Sequence, residues 1–361
     1  MSGGLAAAGI GASFGKNTVL HGVDLAVEPG ETLVLFGPSG AGKTVLLRAI
    51  AGLDPHSLGR VAIGGRDVSA AGPDARDVGV AFQNFALYPH MTARENIASP
   101  LHARHVGAGE IDTRVTRVAE MLRISHVLEQ RPRALSNGQK QRTALARALV
   151  GEPKVLLLDD PLRNVDAKLR YEMRMELPRL LRRAGAASIY VTQDYREAMA
   201  LGDRIAVMID GRIVQCDVPE AVYDRPATIE VARLFGDPPV NLVPCRPTRG
   251  NDGVRVGALG LDLGLPGHLG LIDREAVLGI RPEDVRFSSE PEPGAAEAEV
   301  EAITPLHDRS ILLLRVPSGE EILVSTFRPP EAGSRVFFRP VVERALLYDP
   351  ATGRLDEEFA S

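Results

Sequence analysis

Eight residues, Gly37-Pro38-Ser39-Gly40-Ala41-Gly42-Lys43-Thr44, constrain this chain more than any other stretch. They follow a short apolar run, Thr32–Phe36, and precede a helix-forming one, Val45–Ala51, so the pattern G-x-x-x-x-G-K-T stands between strand and helix. Such a loop turns successive backbone N–H groups inward and makes a cradle for phosphate oxygens. The positive end of the following helix points at the same place. Lys43 adds a point charge for the outer phosphates, and the Thr44 hydroxyl can ligate Mg²⁺. A Gly-rich turn ahead of a helix is the plain alternative, and both spacing and context argue against it. The second half of such a site is expected at the end of a buried strand. Lys154-Val155-Leu156-Leu157-Leu158-Asp159 ends in a carboxylate that can hold the water shell of the metal.

Around the cradle, residues 1–235 read as α/β. Strand-like runs at Thr32–Phe36, near Val80, at Val155–Leu158 and at Ser188–Thr192 alternate with helical stretches, the pattern of a mainly parallel sheet. An Arg-rich helical stretch, Thr92–Leu149, interrupts that alternation and predicts an inserted helical subdomain over about 88–150. Ile205–Ile209, Asp210-Gly211 and Arg212–Gln215 read as a hairpin with a tight turn. The proline-rich run FGDPPVNLVPCRP marks a boundary near 235/236, and 236–361 carries strand candidates at Val277–Ile280, Ile311–Val316, Glu321–Ser325 and Arg335–Phe338. These predict a small all-β domain. Pro291–Glu299 is polar and biased, and is expected as a flexible loop.

The 361 residues suit two domains, and a net charge of −5 with no Trp announces no nucleic-acid surface. Two cysteines form no disulfide framework and suit a reducing compartment. The N-terminus lacks the basic and apolar regions of a signal peptide, and no run approaches the ~20 apolar residues of a membrane span. If the chain serves a membrane process, other chains supply the membrane part.

Three further segments resemble ABC importer ATPases. Ala81–Thr92 (AFQNFALYPHMT) is similar to their Q-loop, Leu135-Ser136-Asn137-Gly138-Gln139 to their LSGGQ signature, and Pro161–Asp166 to their D-loop. FGDPPVNLVP at 235–244 and LGIRPEDV at 278–285 resemble the carbohydrate-uptake branch typified by the maltose transporter ATPase. The resemblance runs the full length. It implies a P-loop ABC nucleotide-binding domain with its helical subdomain, followed by an OB-like regulatory domain or a β-domain that only dimerises. It implies ATP and Mg²⁺ as ligands, with Thr44, Gln83 and Asp159 at the metal and Gly37–Thr44 around the phosphates. It implies that Phe14 stacks on adenine, though a lone Phe is more often core. Ser136, Asn137, Gly138 and Gln139 would face the ATP of a second subunit in a head-to-tail dimer. Two transmembrane permeases would be the partners, with a solute-binding protein acting indirectly, on the cytoplasmic face of the inner membrane. The solute implied is a sugar, polyol or glycerol-type compound.

Three positions depart from the family's pattern. Asp160 stands where a Glu positions the attacking water, Gln193 stands at the switch His, and Arg163 replaces a D-loop Ser. Asp is one methylene shorter, and a ~1 Å misplacement can cost about 10²-fold in rate. Gln193 can donate a hydrogen bond but carries no charge. Asp160, Gln193 and Gln83 are the candidate catalytic positions. Binding residues kept while Asp160 and Gln193 change lead to the expectation of a degenerate, slow site. They also favour a heterodimer with a second, complete ATPase, the homodimer staying open. Asn137 in the signature is expected to be tolerated because Asn accepts a left-handed backbone. A nucleotide-binding regulatory module without productive hydrolysis and a soluble non-transport ABC ATPase are the rival readings. His102-x-x-His105 lacks acidic or Cys partners and reads as an exposed helix face.

Overall fold

The computed structural model describes residues 3–54, 57–163, 165–250, 253–265 and 271–356. The chain divides into two compact units, Met1–Pro219 and Glu220–Ser361.

In the first unit, strands β1 (Leu5–Phe14) and β2 (Asn17–Val27) form an antiparallel hairpin with Leu5 opposite Val27. Next come β3 (Thr32–Phe36), α1 (Lys43–Ala51), β4 (Ser57–Ile63) and β5 (Arg66–Asp67). A four-stranded sheet runs β2-β1-β4-β5. The chain continues through β6 (Val78–Ala81) and three helices, α2 (Ala93–Ala103), α3 (Ala108–Met121) and α4 (Asn137–Leu149). Then follow β7 (Val155–Asp159), α5 (Ala167–Ala184), β8 (Ala187–Thr192), α6 (Tyr195–Leu201), β9 (Arg204–Ile209) and β10 (Arg212–Asp217). A six-stranded sheet has the order β10-β9-β3-β8-β7-β6, parallel except for the β9–β10 hairpin.

The local chemistry explains these elements. Every residue of β3, β7 and β8 is buried, as expected of parallel strands covered on both faces. Leu33, Leu35, Leu157, Ile189 and Val191 pack with Leu46 and Ile50 of α1 in one core. The β9–β10 turn puts both Asp210 (φ 44°) and Gly211 (φ 71°) in the left-handed region, the demand of the tight turn that an Asp-Gly pair meets. Thr92 caps α2 and exchanges hydrogen bonds with Glu95. The inserted segment from α2 to α4 holds no strand among its described residues.

The second unit opens with helices α7 (Pro219–Asp224) and α8 (Ile229–Leu234), followed by β11 (Asn241–Cys245), β12 (Pro247–Gly250), β13 (Gly253–Ala258) and β14 (Leu261–Leu265). It ends with β15 (Ala276–Ile280), β16 (Val285–Ser288), β17 (Ala296–Pro305), β18 (Ser310–Arg315), β19 (Glu321–Thr326), β20 (Arg335–Pro340) and β21 (Leu346–Tyr348). They form antiparallel sheets ordered β11-β15-β21, β12-β13-β14 and β16-β20-β17-β18-β19. The division after Pro219 falls ahead of 235 because Ala232 of α8 packs with Val240, Leu346 and Tyr348. The expected loop Pro291–Glu299 is corrected in part: β17 begins at Ala296, and Ala296 and Ala298 face the core while Glu299 faces outward. That alternation is a half-buried strand hidden in a low-complexity composition. Asn241 joins β11 to β15 and β19: its side-chain amide donates to the carbonyls of Ile280 (3.0 Å) and Leu323 (2.9 Å) and accepts from Leu323 N (2.7 Å).

Candidate functional site

The cradle lies between β3 and α1. Gly42 caps α1 at φ 99°, and a Cβ there would come within 2.9 Å of Leu20 and 3.3 Å of the Val19 carbonyl, so glycine is required. A Cβ on Gly37 would come within 2.1 Å of the Met208 carbonyl of β9. The loop therefore sits directly on the sheet. Lys43 is buried, and its ammonium donates to the carbonyls of Gly37 (2.8 Å) and Pro38 (2.7 Å). Burial holds it below the usual lysine value. Asp160 and Asp159 oppose that shift, and the Arg163 guanidinium adds to it.

Parallel register brings distant segments to one edge. Phe36 lies opposite Thr192, Val191 opposite Asp159, and Leu158 opposite Ala81. The segments leaving these strands carry Gly37, Gln193, Asp160 and Gln83. Carboxyl ends of strands in open α/β sheets are where ligands bind. The Thr44 hydroxyl, at 3.1 Å from both Asp159 oxygens, closes the gap from α1 to β7. A hydroxyl and a carboxylate converging in this way are a hard-oxygen donor pair that suits Mg²⁺. Asp159 and Asp160 both have raised carboxyl pKa values, chiefly through burial, which Thr44 and Lys43 oppose at Asp159 and Arg163 opposes at Asp160. Asp160 turns the chain at φ 45°, a conformation Asp tolerates. Gln193 is exposed, between β8 and the α6 cap Asp194.

Two supports of the site were not foreseen. Arg147 of α4 donates to the carbonyls of Ala86 (2.7 Å) and Phe85 (3.0 Å) and stacks over Tyr88. It thereby holds two residues at φ 62° and 47°, just after Gln83. Beneath Gln193, the buried Glu197 carboxylate accepts from Tyr190 (3.0 Å) and Thr192 (2.9 Å), while Arg174 reaches Asp194 at 2.8 Å. The partners lie up to 62 residues apart in the first cluster.

Ser136 caps α4: its hydroxyl accepts from Gln139 N, and the Gln139 side chain accepts from Ser136 N. Asn137 is the first residue of α4 and is not among the positive-φ residues, which corrects the expected reason for its tolerance. No left-handed backbone is demanded there. Gly138 is buried on the same turn. Phe14, at the end of β1, is 47% exposed and is not part of the core. Within the D-loop-like segment, Asn164 lies outside the described residues. His102 and His105 join no metal-holding cluster among the described residues.

The ABC transporter family model matches residues 20–163, and the TOBE domain model matches residues 278–347. The sn-glycerol-3-phosphate import ATP-binding protein of Cereibacter sphaeroides is 42% identical over 95% of this chain and 96% of its own length. The trehalose/maltose import ATP-binding protein of Thermococcus litoralis is 45% identical, over 93% of this chain and 92% of its own. The chain belongs to the ATP-binding subunits of ABC importers. Two solved ABC transporter cassettes share its fold. One is a dimer in a post-hydrolysis state with ADP and phosphate (28% identity, TM-score 0.53), the other a dimeric bacterial cassette (29%, TM-score 0.54). Each spans 60% of this chain and 98% of its own. The subunit is thus a transport ATPase that binds ATP. Membership in this family gives no support to a degenerate site. Among the described residues, no helix is long and apolar enough to cross a membrane.

Proposed function

We propose that this subunit powers uptake of a sugar, polyol or glycerol-type solute, working as a pair of identical chains on the cytoplasmic face of the membrane. The observation that carries the reading is the meeting of Thr44 and Asp159, 115 residues apart, beside a glycine-built phosphate cradle. The solute class is supported by relatives named for glycerol 3-phosphate and trehalose/maltose import along nearly their whole length. Two permeases would form the membrane path, and a solute-binding protein would act through them. The expected heterodimer finds no support among these relatives, and the structural neighbours are described as dimers of a cassette. We therefore take like chains paired head to tail.

In this reading each ATP lies on the cradle of one chain and against Ser136–Gln139 of the other. Lys43 exchanges two carbonyl acceptors for phosphate oxygens, a charge-assisted bond worth roughly 1.5–3 kcal/mol. Phe14 stacks on the adenine. Mg²⁺, when bound, would be held by Thr44 and Asp159 with Gln83 beside it, and would neutralise charge on the outer phosphates. Asp160 positions the attacking water, and Gln193 donates to the γ-phosphate. ATP binds the closed pair better than the open one, so it shifts the population toward closure, and hydrolysis reverses the shift.

Lys43→Ala should weaken Mg-ATP binding by at least about 10-fold, the loss of one charge-assisted bond. Equilibrium titration with a fluorescent ATP analogue measures it, and unchanged affinity would remove the cradle assignment. Native mass spectrometry of the purified transporter should count two copies of this chain. A second, different ATPase would overturn the like-chain pairing.

A further inference from the structure

Phosphoryl transfer spreads negative charge over three equatorial oxygens, and the enzyme's task is to place positive charge around them. Here the site is unevenly supplied. Lys43 serves the cradle side. On the far side the segment leaving β8 offers Gln193, which is neutral. Beside it, the segment leaving β7 carries Arg163.

The geometry places Arg163 within reach of the reacting end. Its guanidinium stands 3.7 Å from the Asp160 carboxylate, and its charge is felt by the Lys43 ammonium. The backbone beneath it is held: Arg163 N donates to the Asp160 carbonyl at 3.3 Å, and Arg170 reaches the Arg163 carbonyl at 3.4 Å. The side chain is not held. It is 53% exposed, and Asp160 is its one ion-pair partner among the described residues. The pair is long for an ion pair and its Arg163 end lies in solvent, so it holds the guanidinium only weakly, although Asp160 itself is buried. A triphosphate carries several negative charges and presents oxygens that match the planar guanidinium fork in bidentate fashion.

We infer that Arg163 is a catalytic residue: as the γ-phosphoryl group transfers, its guanidinium moves from Asp160 onto the γ-phosphoryl oxygens and stabilises the charge that develops there. This rests on the ATP-site reading above. In the step, the oxygen of water forms its bond to the γ-phosphorus as the bond to the bridging oxygen breaks. The bonding pair leaves with ADP, and the water's proton passes through Asp160 to solvent. The products are ADP and inorganic phosphate. Arg163 exchanges no proton. Releasing Asp160 from Arg163 also leaves that carboxylate free to hold the water. Asp160, Arg163 and Gln193 then form one consistent set, with the cation on the β7 side and not the β8 side.

The test compares ground-state with transition-state binding in the full chain. Vanadate with ADP stands in for the transferring phosphoryl group. Arg163→Ser should bind ATP within about 3-fold of wild type but ADP–vanadate about 10²-fold more weakly, the size expected for one lost transition-state donor. Turnover should fall by a similar factor with little change in KM. Arg163→Lys keeps the charge without the fork and should fall between. Adding Gln193→His to Arg163→Ser should recover much of the loss. If Arg163→Ser is poorly folded, the near-isosteric Arg163→Gln carries the same comparison. Unchanged ADP–vanadate affinity, or faster turnover in Arg163→Ser, overturns the inference. Failure of wild type to bind ATP overturns the site reading itself.

Discussion

Arg147→Ala should loosen the segment after Gln83 without unfolding the unit around it. The wild-type clamp comprises hydrogen bonds to Ala86 and Phe85 and a guanidinium stacked 5.7 Å from the Tyr88 ring centre. A net hydrogen bond contributes ~1 kcal/mol and a partly exposed cation–π contact ~0.5–1 kcal/mol. Together they supply about 2–3 kcal/mol. They oppose strain in two consecutive residues with positive φ, Phe85 and Ala86, at roughly 1–3 kcal/mol each. Without the clamp the segment opens locally. At 1.36 kcal/mol per decade, amide exchange over 82–88 should speed up about 30- to 150-fold. Hydrogen exchange by mass spectrometry on the free chain reads this directly. Protection in β3, β7 and β8 should not change. Arg147→Lys should recover only part of the effect, since one ammonium cannot match the fork. Unaltered exchange over 82–88 would refute the clamp, and faster exchange spread over the whole unit would show that Arg147 acts through general stability.

Asp160→Asn should raise the melting temperature of the nucleotide-free chain at neutral pH. Burial lifts the Asp160 carboxyl above its ordinary value of ~3.9, so its stabilising contribution is full below that value and is lost as pH rises through the folded-state value. Melting curves from pH 4 to 7 should show wild type losing stability that the variant keeps, and parallel curves would contradict the sign. Asn241→Ala should destabilise the second unit by about 2–4 kcal/mol, because it leaves two carbonyls and one amide without their partner. ATP affinity should stay within 2-fold, and a melt followed by titration checks both.

The cradle was legible because its chemistry is contiguous: eight neighbours carry the glycines, the cation and the hydroxyl. Asp159, Asp160 and Gln193 were legible because Asp159 ends one all-buried strand and the other two directly follow such strands. Strand β1 was not, since LAAAGIGASF is rich in Ala and Gly and carries weak β preference. Its strand form comes from pairing with β2 on one side and β4 on the other. Ala296–Glu299 was hidden for a related reason: alanines are its core-facing residues, and burial needs only the alternation. Arg147 and Glu197 were unreadable because their roles depend on carbonyls and hydroxyls brought together by the fold, not on a local pattern. Asn137 is the opposite case: Asn tolerates a left-handed backbone in general, but the first turn of α4 asks for none.

The box at the start of α4 has a consequence for how often this machine can cycle. In it the Ser136 hydroxyl oxygen accepts a hydrogen bond from Gln139 N, at 3.3 Å. The hydroxyl's own proton has no part in that bond, because a hydroxyl donates once and accepts through separate lone pairs. It can form a hydrogen bond to a phosphate oxygen while the helix keeps its cap. In the head-to-tail reading, approach and withdrawal of the neighbouring chain's ATP would therefore leave the helix end intact, where a cap broken and remade at every turn would add about 1 kcal/mol of resistance to each closure. The Ser136–Gln139 turn brings to that reading a shape its own hydrogen bonds already fix.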